Sequence, residues 1–338
     1  MTKILRKELL SQKVVIVDGQ PGCGKTMLSP IVSSFDRVEL LNYAFEIEFI
    51  CRLYKMKKIE SDAAIALVRM FVDHKLYQTM MGREVNFRYS DLSSAFKDSN
   101  PWRYFRRIFQ EGDLIVPERI KKEKPILNLT THDLLQIGKP VFDGLGKNLV
   151  LIEVVRHPLY MVIQQQLNME RLVENPRDIQ VCFEYKSRQL PFYALGWEEK
   201  FIKSNSMDKA VFAIERATYE TDKIRKISAD RFDVCIITIP FEKFVKEPWP
   251  YLTKIENALG TNHSKNTLNI MKKQKVPRIK ISDSPALDIY KRCGWIPPQK
   301  VTEEGELEVR REMVVKFGSK EALKKIDMLS KKYTEQYT

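Results

Sequence analysis

Gly19-Gln20-Pro21-Gly22-Cys23-Gly24-Lys25-Thr26 fits the pattern G-x-x-x-x-G-K-[ST] at every fixed position. Ahead of it, Val14-Val15-Ile16-Val17 is a short β-branched run suited to a buried strand; after it, Met27, Leu28, Ile31 and Val32 begin a helical apolar face. In the order strand, glycine-rich loop, helix, glycines let backbone N–H groups turn inward around a phosphate. Lys25 adds a mobile positive charge, and the helix starting near it aims its free N–H groups and dipole at the anion. Gly19, Gly22, Cys23, Gly24, Lys25, Thr26 and Met27 are therefore the candidate phosphate-binding residues, with the Thr26 hydroxyl placed to hold a phosphate oxygen or Mg²⁺. Pro30 falls early in the helix and is expected to end or kink it.

The loop sits in a chain of 338 residues, 43% apolar, with a formal charge of +13. That length allows one large α/β domain, and a single domain over 1–338 is the expectation. The basic balance suits an acidic partner such as a nucleotide, a sulfated or phosphorylated sugar, nucleic acid or anionic lipid; a solvated lysine-rich surface gives the same count. Five cysteines (Cys23, Cys51, Cys182, Cys235, Cys293) form no C-x-x-C, which argues against a zinc site and a disulfide framework. The apolar run Val14–Val17 is too short for a signal peptide, and no uninterrupted apolar run approaches the ~18 residues of a spanning helix. A cytoplasmic location is the expectation.

Taken in order, Arg37–Leu41 reads as a second strand and Asn42–Lys58 as a helix; Ser61 and Asp62 cap a further helix through Leu76. Tyr89–Gln110 mixes aromatics with arginines; it is read as core rings on one face and solvated arginines on the other, the alternative being a helical insertion that covers a substrate, and 42–112 is expected to form a helical insertion or cap. Lys124–Thr130 is a strand entering the turn Thr131-His132-Asp133, with Asp133 read as the cap of the next helix. Asn148–Val155 is another strand, ended by Arg156-His157-Pro158. Asn175-Pro176-Arg177-Asp178 breaks the chain, two long helical stretches run to about Ile227, and Val234–Ile239 is a strand stopped by Pro240. A helix Tyr251–Leu259 closes on Gly260. From Lys272 to residue 318 the chain reads as an irregular basic segment, with Pro285, Gly294, Pro297 and Pro298, before a last helix Lys320–Tyr333. Strands alternating with helices predict an α/β fold, a mainly parallel sheet with helices on both faces. The glycine loop, His132, Arg156 and Pro240 then all follow strand ends and face one crevice.

This order of motifs resembles the sulfotransferase family, whose fold is related to P-loop kinases. Gly19–Leu28 resembles that family's phosphosulfate loop, Thr130-Thr131-His132 its K-T-H turn, and Val154–Leu159 the segment whose arginine binds the donor's 3′-phosphate. Thr238–Pro248, with Leu259-Gly260 beyond, resembles its later Y-E-D-L-x-x-D-P…L-G segment. The resemblance implies sulfuryl transfer from 3′-phosphoadenylyl sulfate to a hydroxyl or amine of an acceptor such as a carbohydrate or other small molecule. It implies Lys25 and the loop at the bridging and 5′-phosphate oxygens, Arg156 and Gln164 at the 3′-phosphate, and His132 as the base, with Glu46 as the alternative base. Lys25 stands where the family usually has Thr, so the loop is nearer to an ATP-binding one, and an ATP-dependent kinase using Mg-ATP, with Thr26 on the metal, is the alternative. No sequence of the h-h-h-h-D type follows; Leu149–Glu153 comes nearest. No zinc-finger, RNP-like or helix-turn-helix signature points to a specific nucleic-acid partner.

Overall fold

The computed structural model describes residues 2–6, 8–171, 179–282, 296, 298 and 302–337. Strand β1 (Val14–Asp18) is buried along its whole length. It is followed by α1 (Lys25–Ser33), β2 (Asn42–Tyr43), α2 (Phe45–Lys55), α3 (Ser61–Met81), α4 (Pro101–Ile108), α5 (Ile115–Glu123), β3 (Leu127–Thr130), α6 (Leu134–Ile137) and α7 (Lys139–Leu145). Then come β4 (Leu149–Val155), α8 (Pro158–Arg171), the hairpin β5 (Cys182–Tyr185) and β6 (Arg188–Pro191), α9 (Glu198–Lys203), α10 (Ser206–Arg231) and β7 (Cys235–Pro240). Helices Phe241–Lys246, Trp249–Leu259, Lys265–Lys273, Glu303–Phe317 and Lys320–Tyr337 complete the described chain.

The main sheet has the order β2-β3-β1-β4-β7 and every pairing in it is parallel. A parallel sheet must be covered on both faces, and the strand alternation divides its side chains accordingly. Val15, Val17, Ile152 and Ile237 pack with α1, α8, α10 and the C-terminal helices, while Val14, Ile16, Leu149 and Leu151 pack with α2, α3, α6 and α7. The expected fold class, α/β with a parallel sheet between two helical layers, is the one observed. The chain leaves β1 toward β2 and β3 on one side and later builds β4 and β7 on the other. The crevice at the carboxyl end of β1 is thus the topological switch point, where open α/β sheets bind ligands.

Several local expectations change. Helix α1 runs through Pro30 to Ser33 instead of ending there; a proline removes one intrahelical hydrogen bond, and here the buried Ile31 and Val32 keep the next turn docked on the sheet. The second strand is Asn42–Tyr43, with Arg37–Leu41 contributing only a single bridge, Val38 to Ile126. The stretch read as helical after the chain break holds the β5–β6 hairpin, which pairs with itself and not with the main sheet. Glu303–Phe317, inside the segment read as irregular, is a helix capped by the Thr302 hydroxyl, which accepts from the Gly305 N–H. The break at Asn175–Asp178, Pro285, Cys293, Gly294 and Pro297 lie outside the described residues.

The aromatic and arginine segment follows the expected division only in part: Tyr104 is buried and Arg106 exposed, but Arg107 and Trp102 exchange places. Arg107 is buried and grips Glu39 through two bonds of 2.7 and 2.8 Å, whereas Trp102 is 70% and Phe109 87% exposed. Burial alone would raise the Glu39 carboxyl, but Arg107 and Arg103 hold it down to about 2. Tyr104 reaches the same knot and donates no apolar face to solvent; its hydroxyl accepts from the Leu40 N–H at 2.7 Å. The buried Arg107 and the half-buried Arg103 thus fasten the insertion to the chain entering β2.

Candidate active site

The Gly19–Thr26 loop follows β1 directly, and Gly19, Gly22 and Gly24 all have positive φ. Two of these demand glycine for contact as well as for conformation. A Cβ on Gly19 would lie 2.4 Å from the Val154 carbonyl oxygen of the neighbouring strand, and one on Gly24 2.3 Å from the Phe241 ring. Gly24 is the N-cap of α1, at φ 104°, so the N-terminal N–H groups of that helix open into the loop.

Lys25 folds back over its own loop. Its ammonium donates to the Gly19 carbonyl and, at 3.2 Å, to the Gln20 carbonyl, and only 6% of the residue is exposed. Thr26, next along, is exposed to the cleft. Arg156, just past β4, approaches from the other side and donates to the Gly22 carbonyl at 2.9 Å. Its guanidinium lies between the Tyr160 and Phe241 rings, 5.0 and 4.3 Å from their centroids. The buried Nε makes no hydrogen bond and stands 3.9 Å from the Glu242 carboxylate. Gln164, two turns along α8, brings its Oε1 to 3.1 Å from where a Gly22 Cβ would be. Loop, Arg156 and Gln164 therefore surround one end of a cleft of ≈ 1570 Å³.

His132 borders the same cleft beside the loop, its neighbour Asp133 donating its N–H to the Gly19 carbonyl at 3.4 Å. The His132 side chain is 34% exposed, and its ring lies nearly parallel to Phe45, with centroids 6.2 Å apart; Phe45 in turn stacks on Tyr43 at 6.0 Å. Glu48 holds it from below. One carboxylate oxygen of Glu48 accepts from the His132 backbone N–H at 2.8 Å and lies 3.1 Å from Nδ1. A carboxylate facing Nδ1 selects the tautomer protonated there and leaves Nε2 as a proton acceptor. The second Glu48 oxygen pairs with Arg52 at 2.8 Å. Glu46, the other base read from the sequence, is exposed on the same helix and borders the cleft. Lys25, His132, Glu46, Arg156 and Gln164 thus border one cleft.

Glu48 and Asp18 escaped the sequence reading. Glu48 had a signal: a glutamate flanked by the buried Ile47 and Cys51, with an arginine four residues on, places a charge pair on the inward side of a helix. Asp18 performs the capping expected of Asp133. Its two oxygens accept from the Leu134 and Leu135 N–H groups at 3.0 and 2.9 Å, and from the Thr131 hydroxyl at 2.9 Å. Asp133 itself sits at φ 55° and makes no side-chain cap. The reason is geometric: Asp18, at the end of the central strand, already points at the start of α6.

Glu153, the nearest approach to a metal-holding acid on a strand, is closed off. Arg225 binds both its oxygens, at 3.0 and 2.7 Å, and the Thr238 hydroxyl donates to it at 3.0 Å. Burial raises the Glu153 carboxyl and Arg225 opposes the rise.

No protein-family model and no curated protein matches the sequence. Among solved structures, the chain is similar to the sulfotransferase domain from the Synechococcus PCC 7002 olefin synthase, at 11% identity and TM-score 0.41, over 93% of this chain and 98% of that one. It is similar to sulfotransferase STF9 from Mycobacterium avium, at 12% identity and TM-score 0.41, over 92% and 78% of the two chains. It is also similar to mouse sulfotransferase SULT7A1 complexed with PAP, at 13% identity and TM-score 0.34, over 96% and 84%. Likenesses this loose decide nothing about chemistry, which rests on the cleft itself.

Proposed function

We propose that the protein is a nucleotide-dependent group transferase, and that it transfers a sulfuryl group from 3′-phosphoadenylyl sulfate to a hydroxyl or amine acceptor. The observation that carries this reading is the arrangement around the loop: Arg156 bonded to Gly22 and the Glu48-held His132 border one cleft with Lys25. Such transfer asks for positioning and charge neutralisation more than for covalent chemistry from the protein. In this reading the loop N–H groups and Lys25 hold the 5′-phosphate and bridging oxygens, and Arg156 with Gln164 holds the 3′-phosphate. His132 Nε2 takes the acceptor proton, while Phe45 and Tyr43 border the acceptor. The cleft has room for a nucleotide and an acceptor together.

The kinase reading keeps one specific support, the Lys25-Thr26 pair with Thr26 exposed to the cleft. The Arg225–Glu153 pair weighs against it, because a carboxylate bound at both oxygens by a guanidinium is poorly placed to hold the water of a Mg²⁺ ion. Titration with adenosine 3′,5′-bisphosphate and with Mg-ATP, side by side, separates the two.

Arg156→Ala sharpens that comparison. A charge-assisted bond to phosphate is worth about 1.5–3 kcal/mol. The variant is therefore expected to lose adenosine 3′,5′-bisphosphate roughly ten- to hundred-fold more than it loses 5′-AMP. Some loss for both follows from the bond to Gly22; equal losses would remove the reason to prefer a 3′-phosphorylated donor.

Glu48→Gln keeps the shape of the His132 support and removes its charge. Turnover is expected to fall by about ten- to a hundred-fold, the rate equivalent of one charge-assisted hydrogen bond. Donor affinity should stay unchanged and the acid limb of the pH–rate profile should shift, which a purely structural carboxylate would not produce. An unaltered profile with unaltered kcat would show that His132 works without Glu48.

A further inference from the structure

Asp133 stands at the inner edge of the cleft with an unpaired carboxyl oxygen. Its backbone N–H donates at 3.4 Å to the Gly19 carbonyl, the same oxygen that takes the Lys25 ammonium. Its backbone is left-handed, at φ 55°. Its Oδ1 is buried and accepts no hydrogen bond. The residue borders both the large cleft and a small cavity of ≈ 60 Å³ behind the loop. The capping that would have occupied the carboxyl is done by Asp18.

We propose that Asp133 takes up a proton when a phosphate enters the Gly19–Thr26 loop, so that the site binds its nucleotide as a proton-coupled anion site. The proposal rests on reading that loop as a phosphate site, and it holds for a sulfuryl or a phosphoryl donor alike. In the observed state Lys25 favours the ionised carboxylate, as does Arg52 from α2; Asp18 from β1 and Glu48 from α2 oppose it. The Cys23 thiol on the loop, raised by burial, adds no charge. An entering phosphate changes this balance in two ways. It draws the Lys25 ammonium toward its own oxygens, and it places new negative charge next to Asp133. Both disfavour the carboxylate. A protonated carboxyl, by contrast, is a hydrogen-bond donor that the phosphate or a loop carbonyl can accept.

The proton is available near neutrality. Burial, then the Asp18 charge, push the Asp133 carboxyl up to about 7 before any ligand arrives. The sign follows directly. Below that value the proton is already present and binding takes up none. Above it the proton must come from solvent, so affinity falls as pH rises, by at most about tenfold per pH unit.

The test is calorimetric titration of the full chain with adenosine 3′,5′-bisphosphate and, separately, with ADP, between about pH 6 and about pH 8.5, in two buffers of different ionisation enthalpy. The ligand's own ionisation is common to all variants and cancels in the comparison. Wild-type protein is expected to take up more protons than Asp133→Asn at the alkaline end. Its affinity should fall by about tenfold more over that range. Asparagine and glycine both accept the left-handed backbone, so Asp133→Gly serves as a second variant should Asp133→Asn melt early. Equal pH slopes and equal proton uptake in wild type and variants, with nucleotide still bound, overturn the proposal and leave the loop reading standing. Binding of neither ligand at any pH overturns both together.

Discussion

Lys25→Ala is expected to weaken binding of a phosphate-bearing nucleotide roughly ten- to hundred-fold while the protein stays folded, the loss of one charge-assisted contact of about 1.5–3 kcal/mol. The ammonium contributes charge rather than packing. Its two carbonyl partners keep other donors when it is removed: the Gly19 carbonyl still accepts from the Asp133 N–H, and the Gln20 carbonyl from the Cys23 N–H at 3.1 Å. No buried carbonyl is orphaned, and the Cys23 sulfur is only a weak acceptor, so the melting temperature should move little. Titration calorimetry with adenosine 3′,5′-bisphosphate and Mg-ATP, beside a thermal melt, reads both quantities. A folded variant with wild-type affinity would mean that the loop does not hold the phosphate.

His132→Ala is expected to cut turnover by about 10²- to 10⁴-fold, the usual range for a lost general base. Donor affinity should survive. No donor contact is assigned to the ring: it packs against Phe45, and the proposed donor contacts are the loop, Arg156 and Gln164. The two readouts therefore separate: KM for the donor stays near wild type while kcat collapses. Removing the ring also frees the Glu48 oxygen it shared, but the backbone N–H of residue 132 continues to donate to that oxygen. A variant of full activity would move the base to Glu46, which borders the same cleft from α2.

Much of the fold was legible because the signals were local. Val14–Asp18, the glycine loop and the helix after it are specified within twenty residues, and the parallel sheet follows from strands alternating with helices. Gly260 ends its helix at φ 64°, as a glycine in that place predicts. What was missed depended on distant partners. Pro30 lies in a helix whose next residues are pinned by the sheet. Asp133 looked like a cap by position, but the capping oxygens come from Asp18, on another strand. Arg107 of α4 read as solvated because nothing nearby in sequence announces Glu39, 68 residues away, as its buried partner. His132 could be placed in the cleft from its strand end alone; the carboxylate beneath it lies 84 residues earlier and was visible only as a charge on the inward side of a helix.

The position of β1 has a consequence for how the chain is made. It precedes the other strands of its sheet in the chain, yet it lies in the middle of that sheet, and its two neighbours begin at Leu127 and Leu149. During translation, Val14–Asp18 leaves the ribosome as a bare apolar ribbon with both edges open. At common elongation rates it waits on the order of ten seconds for either partner. A newly exposed β-branched segment of this kind is what holding chaperones bind and what aggregates when they are scarce. Yield in a heterologous host should therefore respond to slower growth temperature and to chaperone supply more than to any change on the finished surface. Fragments that stop short of β4 should be recovered mainly as insoluble material.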